Sequence, residues 1–363
     1  MGNSCKCFSK INSINKGKKV KTNRPLPTKK DKSKSLKWEK ILKPFSSYEN
    51  PIQAFKNQNT ADFCRYLLEG PPSELRWDVW LTMLSINPKK INLEISIPED
   101  IYSIEKDLTR TFPNHPFFTN PRGQCALKNV LVSMVNNHPE LGYCQGMNSV
   151  AGVLLIVSKG NEVESLGILE SICMKLGGKG LFEYGFPLVK DFCAQFHEEL
   201  EEKIPDVFTF FKDIELDDNF WITKWFMTIF SYSFHLDCVV RIWDAVFAYG
   251  LGFMVNIALA MIRYLKLDFL GKTFEEILEY LPEIKEMYVD IDAVLLDGVN
   301  FKFRNVDINI ESEVCSETLK DEVDKDEKIV TKWEAANYTY QNSRSIMEEF
   351  SLLSPSNLSK FTV

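Results

Sequence analysis

Between about residues 50 and 300 apolar side chains recur every three to four positions, and strand-like alternation is hard to find anywhere in that span. Ile101, Ile104 and Leu108 fall on one helical face; Ser96-Ile97-Pro98-Glu99 ahead of them reads as a capping box with proline in the first turn, and Pro113 stops the segment. Asn120-Pro121 opens a second helix whose stripe is Leu127, Val130, Leu131, Met134 and Val135, closed by His138-Pro139. A third follows Gln145, where Gly146, Ala151 and Gly152 allow close packing. Aromatic residues at helical spacing run from Phe220 to Phe234, and Arg241-Ile-Trp243-Asp244 leads into Ala245 to Tyr249. Two more stretches, Val255 to Leu267 and Phe274 to Leu281 before Pro282, complete the series. The pattern predicts an all-α, multi-helix domain with short connections and flexible N- and C-terminal extensions.

The two ends differ from this body. Residues 1–44 hold 14 Lys and Arg against two acids, Asp31 and Glu39, a net +12, so the rest of the chain carries −19 of the overall −7. A basic arm on an acidic body points to an anionic membrane surface or another polyanion met by the arm alone. Nucleic acid is not expected, because the arm has few aromatic residues for stacking and the body repels phosphate. Met1-Gly2-Asn3-Ser4-Cys5-Lys6-Cys7 supplies the glycine that N-myristoylation needs and two cysteines able to take palmitate, although Lys6 stands where Ser or Thr is usual. One acyl chain binds a membrane marginally; Cys5, Cys7 and the lysines from Lys16 to Lys43 offer the second signal. The plainer alternative is a disordered basic tail with incidental cysteines. The expected organisation is a disordered membrane-anchoring arm over 1–45, a folded domain over 60–303, and an acidic linker and tail over 304–363, in which 332–353 has enough apolar content for a docking helix.

Nine cysteines without CxxC spacing and four histidines without a paired spacing leave no metal site to expect, and fit a reduced, cytoplasmic protein attached peripherally to a membrane. The longest apolar run, around Val150 to Val157, is far short of the ~20 residues that span a bilayer.

Candidate chemistry lies in two segments, Ile104-Glu-Lys-Asp107-Leu-Thr-Arg110 and Tyr143-Cys-Gln145-Gly-Met-Asn148. Taken singly, Asp107 and Arg110 read as a surface ion pair worth under ~1 kcal/mol, Gln145 as a solvated loop residue and Tyr143 as a boundary aromatic. Together, an arginine and a glutamine with no general base and no metal cluster nearby suit the completion of another protein's phosphoanhydride hydrolysis, by charge stabilisation and a positioned water. Gly177-Gly178-Lys179-Gly180 lacks P-loop spacing, and Asp217-Asp218-Asn219 reads as a helix cap. His115 reads as a packed histidine.

Five ordered blocks make the chain resemble a TBC domain, the helical family of GTPase-activating proteins for Rab small GTPases, over roughly residues 70 to 300. They are Gly70-Pro71 before Arg76-Trp-Asp-Val-Trp80; Ile104 to Arg110 continuing as Thr111-Phe-Pro113-Asn-His115; Gly142-Tyr143-Cys-Gln145-Gly146-Met-Asn148; Trp225-Phe226 with Phe230; and Arg241-Ile-Trp243-Asp244 with Gly250. The resemblance implies an arginine finger at Arg110 and a glutamine finger at Gln145, both supplied in trans to a GTP-bound Rab that carries its own GTP and Mg²⁺, the activator itself needing no cofactor. Asp107 is expected to hold the guanidinium, Tyr143 to pack behind or beside Gln145, and Arg76 with Trp80 to support the domain. Arg241, Trp243 and Asp244 are expected to form a buried polar and aromatic lock rather than to do chemistry. A catalytically silent adaptor or effector of the same fold is the alternative.

Overall fold

The computed structural model describes residues 29–301, and every regular element among them is helical: sixteen α-helices and four short 3-10 segments. The first four helices are α1 (Lys29–Leu42), α2 (Pro51–Gln58), α3 (Thr60–Glu69) and α4 (Arg76–Met83). Little in α1 is apolar, yet it belongs to the body. Trp38 is buried, with its ring edge-on to Phe63 and Tyr66 at 6.3 and 6.4 Å, and one buried indole outweighs a polar helix face. The disordered arm expected over 1–45 therefore gives way to helix from residue 29. Gly2, Cys5 and Cys7 lie outside the described residues, as do the acidic tail and the helix expected over 332–353.

Next come α5 (Ile101–Leu108), α6 (Pro121–Asn137), α7 (Met147–Val157) and α8 (Glu162–Met174). Every residue from Met147 to Leu155 is buried, because a helix that is apolar all round can satisfy itself only in the interior. It is enclosed by α6 and α8, and α5 packs on α6 and α7. α6 begins as its residues dictate: the Asn120 side chain accepts from Arg122 N at 2.9 Å and Pro121 fills the first position, where no N–H is required. α5 does not begin as expected. The Ser96 carbonyl and hydroxyl both accept from Asn136 on α6, at 2.8 and 3.1 Å, and the helix starts only at Ile101, without a side-chain cap.

The remaining elements are α9 (Pro187–Lys203), α10 (Pro205–Asp213), α11 (Asn219–Met227), α12 (Leu236–Tyr249), α13 (Phe253–Tyr264), α14 (Lys266–Phe269), α15 (Phe274–Glu283) and α16 (Ile291–Asn300). The aromatic run does not continue as one helix to Phe234. Ile229 (φ 47°) and Phe230 (φ 62°) adopt the left-handed region, reversing the chain so that the Phe230 and Phe234 rings pack on Trp225 at 5.8 and 4.8 Å. Pro282 falls inside the last turn of α15 rather than after it. Asp217, not Asp218, satisfies the N–H of Asn219 at the start of α11, at 2.9 Å. Among the described residues no helix is long and apolar enough to cross a membrane.

Candidate functional site

Ile104 is fully buried and anchors α5, which sets the direction of the next turn. Asp107 follows on the same face and is only 2% exposed. Arg110 lies just past the helix end, three residues on, with its side chain 54% exposed and its Nη2 paired to Asp107 Oδ1. The other carboxylate oxygen is also occupied: the Tyr143 hydroxyl donates to Asp107 Oδ2 at 2.5 Å. Burial first, then this bond to Asp107, pushes the phenol well above the ordinary tyrosine range, so it stays a neutral donor. Tyr143 therefore braces Asp107. Arg110 is held through one nitrogen, and among the described residues nothing else pairs with its guanidinium.

Gln145 is tied to the same segment from both sides. Two residues before it, Tyr143 N donates to Asp100 Oδ2 at 2.9 Å; Asp100 precedes α5 and spends its side chain on this bond instead of capping its own helix. Three residues after it, the Asn148 carboxamide accepts from Gly146 N at 3.0 Å and donates to Thr111 Oγ1 at 2.8 Å. Thr111 Oγ1 in turn donates to the Asp107 carbonyl at 2.6 Å. Asn148 and Thr111 are buried, so these bonds are shielded from water, whereas Gln145 itself is exposed. Gly146, at φ 115°, makes the bend ahead of α7 that a side chain would strain. An exposed guanidinium and an exposed carboxamide thus stand on two adjoining turns cross-tied by buried hydrogen bonds. Such a pair can offset negative charge on a phosphoryl group and orient a water without changing its own protonation.

Asp100 carries no signal by type or spacing that would have marked it beforehand, and Thr111 stands in one of the five blocks with nothing in the sequence to give it a role. Each matters through a partner some forty positions away, Asn148 for Thr111 and Tyr143 for Asp100. His115 accepts from Phe117 N at 3.2 Å and sits half-buried against Phe118, a packed loop residue whose pKa burial lowers. Lys179 pairs with Glu183 at 3.4 Å in a 3-10 turn.

The second predicted cluster assembles elsewhere. Asp244 is fully buried and accepts from Arg76 Nε at 3.1 and 3.2 Å, Trp80 Nε1 at 2.8 Å and Arg241 Nη1 at 2.7 Å. Arg241 also donates to Asp292 at 2.9 Å and to the Leu68 carbonyl at 2.6 Å. Burial disfavours its charge, but Asp244 and Asp292 more than offset that and raise its pKa. Trp243 Nε1 donates to the Ile229 carbonyl at 2.9 Å, and its ring lies 5.8 Å from that of Trp80. A side chain at Gly70, whose φ is 90°, would be strained and would crowd the Arg241 guanidinium, because a Cβ there would sit 2.6 Å from Arg241 Cζ. None of these hydrogen bonds reaches Asp107, Arg110, Tyr143 or Gln145.

A multi-helix domain of this kind has known counterparts. The model of the Rab-GTPase-TBC domain matches residues 73–270, more than half of the chain, and the chain belongs to that family. It is 28% identical over 244 residues to the Rab GTPase-activating protein eat-17 of Caenorhabditis elegans, an alignment that covers 62% of this chain and 26% of that protein. To the growth hormone-regulated TBC protein 1-A of Danio rerio it is 28% identical over 246 residues, covering 64% of this chain and 65% of that one. To the GTPase-activating protein GYP5 of Saccharomyces cerevisiae it is 28% identical over 230 residues, 60% of this chain and 24% of the yeast protein. This chain thus spans about a quarter of the worm and yeast proteins and just under two thirds of the fish one. The fold is similar to the solved Chlamydomonas flagellar RabGAP TBC domain (TM-score 0.61, 22% identity, 76% of this chain and 96% of that one). It is equally similar to the Ypt/Rab-GAP domain of Gyp1p (TM-score 0.62, 17% identity, 74% and 97%).

Proposed function

We propose that this chain accelerates GTP hydrolysis by a Rab-family GTPase, supplying Arg110 and Gln145 to the partner's nucleotide site. The observation that carries the reading is the cross-tie between the two turns: Asp107 is shared by Arg110 and Tyr143, and Asn148 and Thr111 join the Gln145 turn to the Arg110 turn. In phosphoryl transfer the charge on the γ-phosphoryl oxygens and the β–γ bridge grows toward a loose transition state. The Arg110 guanidinium offsets that charge, and the Gln145 carboxamide accepts from and donates to the attacking water. GTP and Mg²⁺ come with the partner. Family membership and the worm and yeast relatives, described as GTPase-activating proteins, support the same reading.

The N-terminal segment is proposed to hold the protein on an anionic cytosolic membrane through acylation at Gly2, Cys5 and Cys7 and the neighbouring lysines. Single-turnover hydrolysis measured across a panel of GTP-loaded Rab proteins tests the activity. Arg110→Ala is expected to lower the saturating rate about 10³-fold or more and Gln145→Ala about 10²-fold, with far-ultraviolet circular dichroism unchanged. A rate indifferent to both substitutions excludes the mechanism; nucleotide-selective binding without turnover identifies the adaptor of the alternative reading. A chain starting at residue 29 is expected to keep the rate on a soluble GTPase and to lose sedimentation with phosphatidylserine vesicles.

A further inference from the structure

Next to the Arg110 and Gln145 turns lies a second set of cations that the proposed hydrolytic step does not use. Lys224, exposed on α11, holds its ammonium 4.1 Å from the centre of the Tyr232 ring. Lys285, in the 3-10 turn after α15, stands 5.7 Å from both the Tyr232 and the Phe112 rings. This patch adjoins the site on two sides. Phe112 comes two residues after Arg110, and its ring is so close to α7 that a Cβ on Gly152 would fall 2.8 Å from it. Met227 and Thr228, about one turn beyond Lys224, face Gly146, the residue after Gln145.

Among the described residues neither lysine pairs with a carboxylate, although Glu283 and Glu286 flank Lys285 in the chain. They stand as two neighbouring cations on a molecule whose residues beyond 44 sum to −19. The rings brace the two ammonium groups through cation–π contacts and leave their outer hydrogens to solvent. Tyr232, itself 50% exposed, adds an amphipathic contact area of the kind enriched at protein interfaces. We infer that Lys224, Tyr232 and Lys285 form a docking surface for carboxylate side chains beside the nucleotide cleft of the GTPase that Arg110 and Gln145 serve. This rests on the activator reading and adds what that reading lacks, a place where partner choice is made. A surface of this kind acts on encounter and register rather than on the chemical step.

The test is single-turnover kinetics on a Rab the wild-type chain accelerates, with activator concentration and ionic strength varied. Lys224→Glu/Lys285→Glu is expected to raise KM on the order of tenfold and to flatten its dependence on salt, whereas Arg110→Ala removes the saturating rate instead. Lys224→Arg/Lys285→Arg keeps the wild-type KM, which separates charge from misfolding. Replacing a carboxylate at the partner's cleft edge by lysine is expected to restore the charge-reversed pair. An unchanged KM and salt response in the charge-reversed variant, while wild type still accelerates hydrolysis, overturns the docking surface and leaves the activator reading intact. The same unchanged KM with loss of binding to phosphatidylserine vesicles also overturns it and assigns the lysines to lipid. A wild-type chain that accelerates no Rab in the panel removes the activator reading and the docking surface with it.

Discussion

At the scale of single residues, the candidate site is built around a buried carboxylate with two claimants. Asp107 gives one oxygen to Arg110 and the other to Tyr143, so the half-exposed ion pair, worth under ~1 kcal/mol by itself, inherits the rigidity of a buried hydrogen bond. Tyr143→Phe is therefore expected to lose about 1–3 kcal/mol of stability in a urea melt, because it strands a buried acceptor. It should also lower the saturating hydrolysis rate, since Asp107 then holds Arg110 from a looser position. Restoring a hydroxyl by any other side chain is difficult here, because the phenol must reach across from a turn thirty-six positions away.

Among elements, the decisive contact is α7 against the turn that follows α5. Phe112 adopts φ 44°, a conformation uncommon for an aromatic residue, and its ring edge lies close to Gly152 while the ring stacks on Phe118 at 6.1 Å. Gly152→Ala would put a methyl 2.8 Å from that ring and 2.9 Å from Thr111 Cγ2. The expected cost is about 1–3 kcal/mol in thermal or urea unfolding, typical of overpacking. Because the displaced residues immediately follow Arg110, the hydrolysis rate at saturating activator should fall even where the variant is fully folded. Equal rates for wild type and a folded Gly152→Ala would show that the turn tolerates movement.

Taken as a whole, the molecule places its strongest buried electrostatics far along the chain from its exposed chemistry. Asp244 gathers Arg76, Trp80 and Arg241 from α4 and α12, and Asp292 on α16 completes the group. Helix α1 lies over it. Burial, and then the nearby Arg241, pull the Lys34 pKa down to about 8, with Arg76 acting the same way and Asp292 and Asp244 opposing. A folded pKa below the unfolded 10.5 means that the folded chain binds the proton less readily. The cost of a charged Lys34 is fully present below pH 8, shrinks between about 8 and 10.5, and is absent above. Lys34→Met is thus expected to raise the denaturation midpoint at pH 7 and to match wild type near pH 11. A difference that stays constant with pH would assign the gain to packing alone.

Short-range chemistry was legible along the chain: the period of Leu127, Val130, Leu131 and Met134, the Asn120-Pro121 start of α6, and the all-helical class follow from backbone sterics and local capping. The same local reading erred where a distant side chain intervened. Asn136 drew the Ser96 hydroxyl and carbonyl to α6, and Phe63 and Tyr66 drew Trp38 and α1 into the body. Arg110 and Gln145 could be singled out as residues, but Asp107–Tyr143, Thr111–Asn148 and the Arg76–Asp244 pair join positions 36, 37 and 168 apart. Such partners are chosen by which helix faces close on one another. Periodicity orients a face toward the core, and only the packed molecule decides what it meets there.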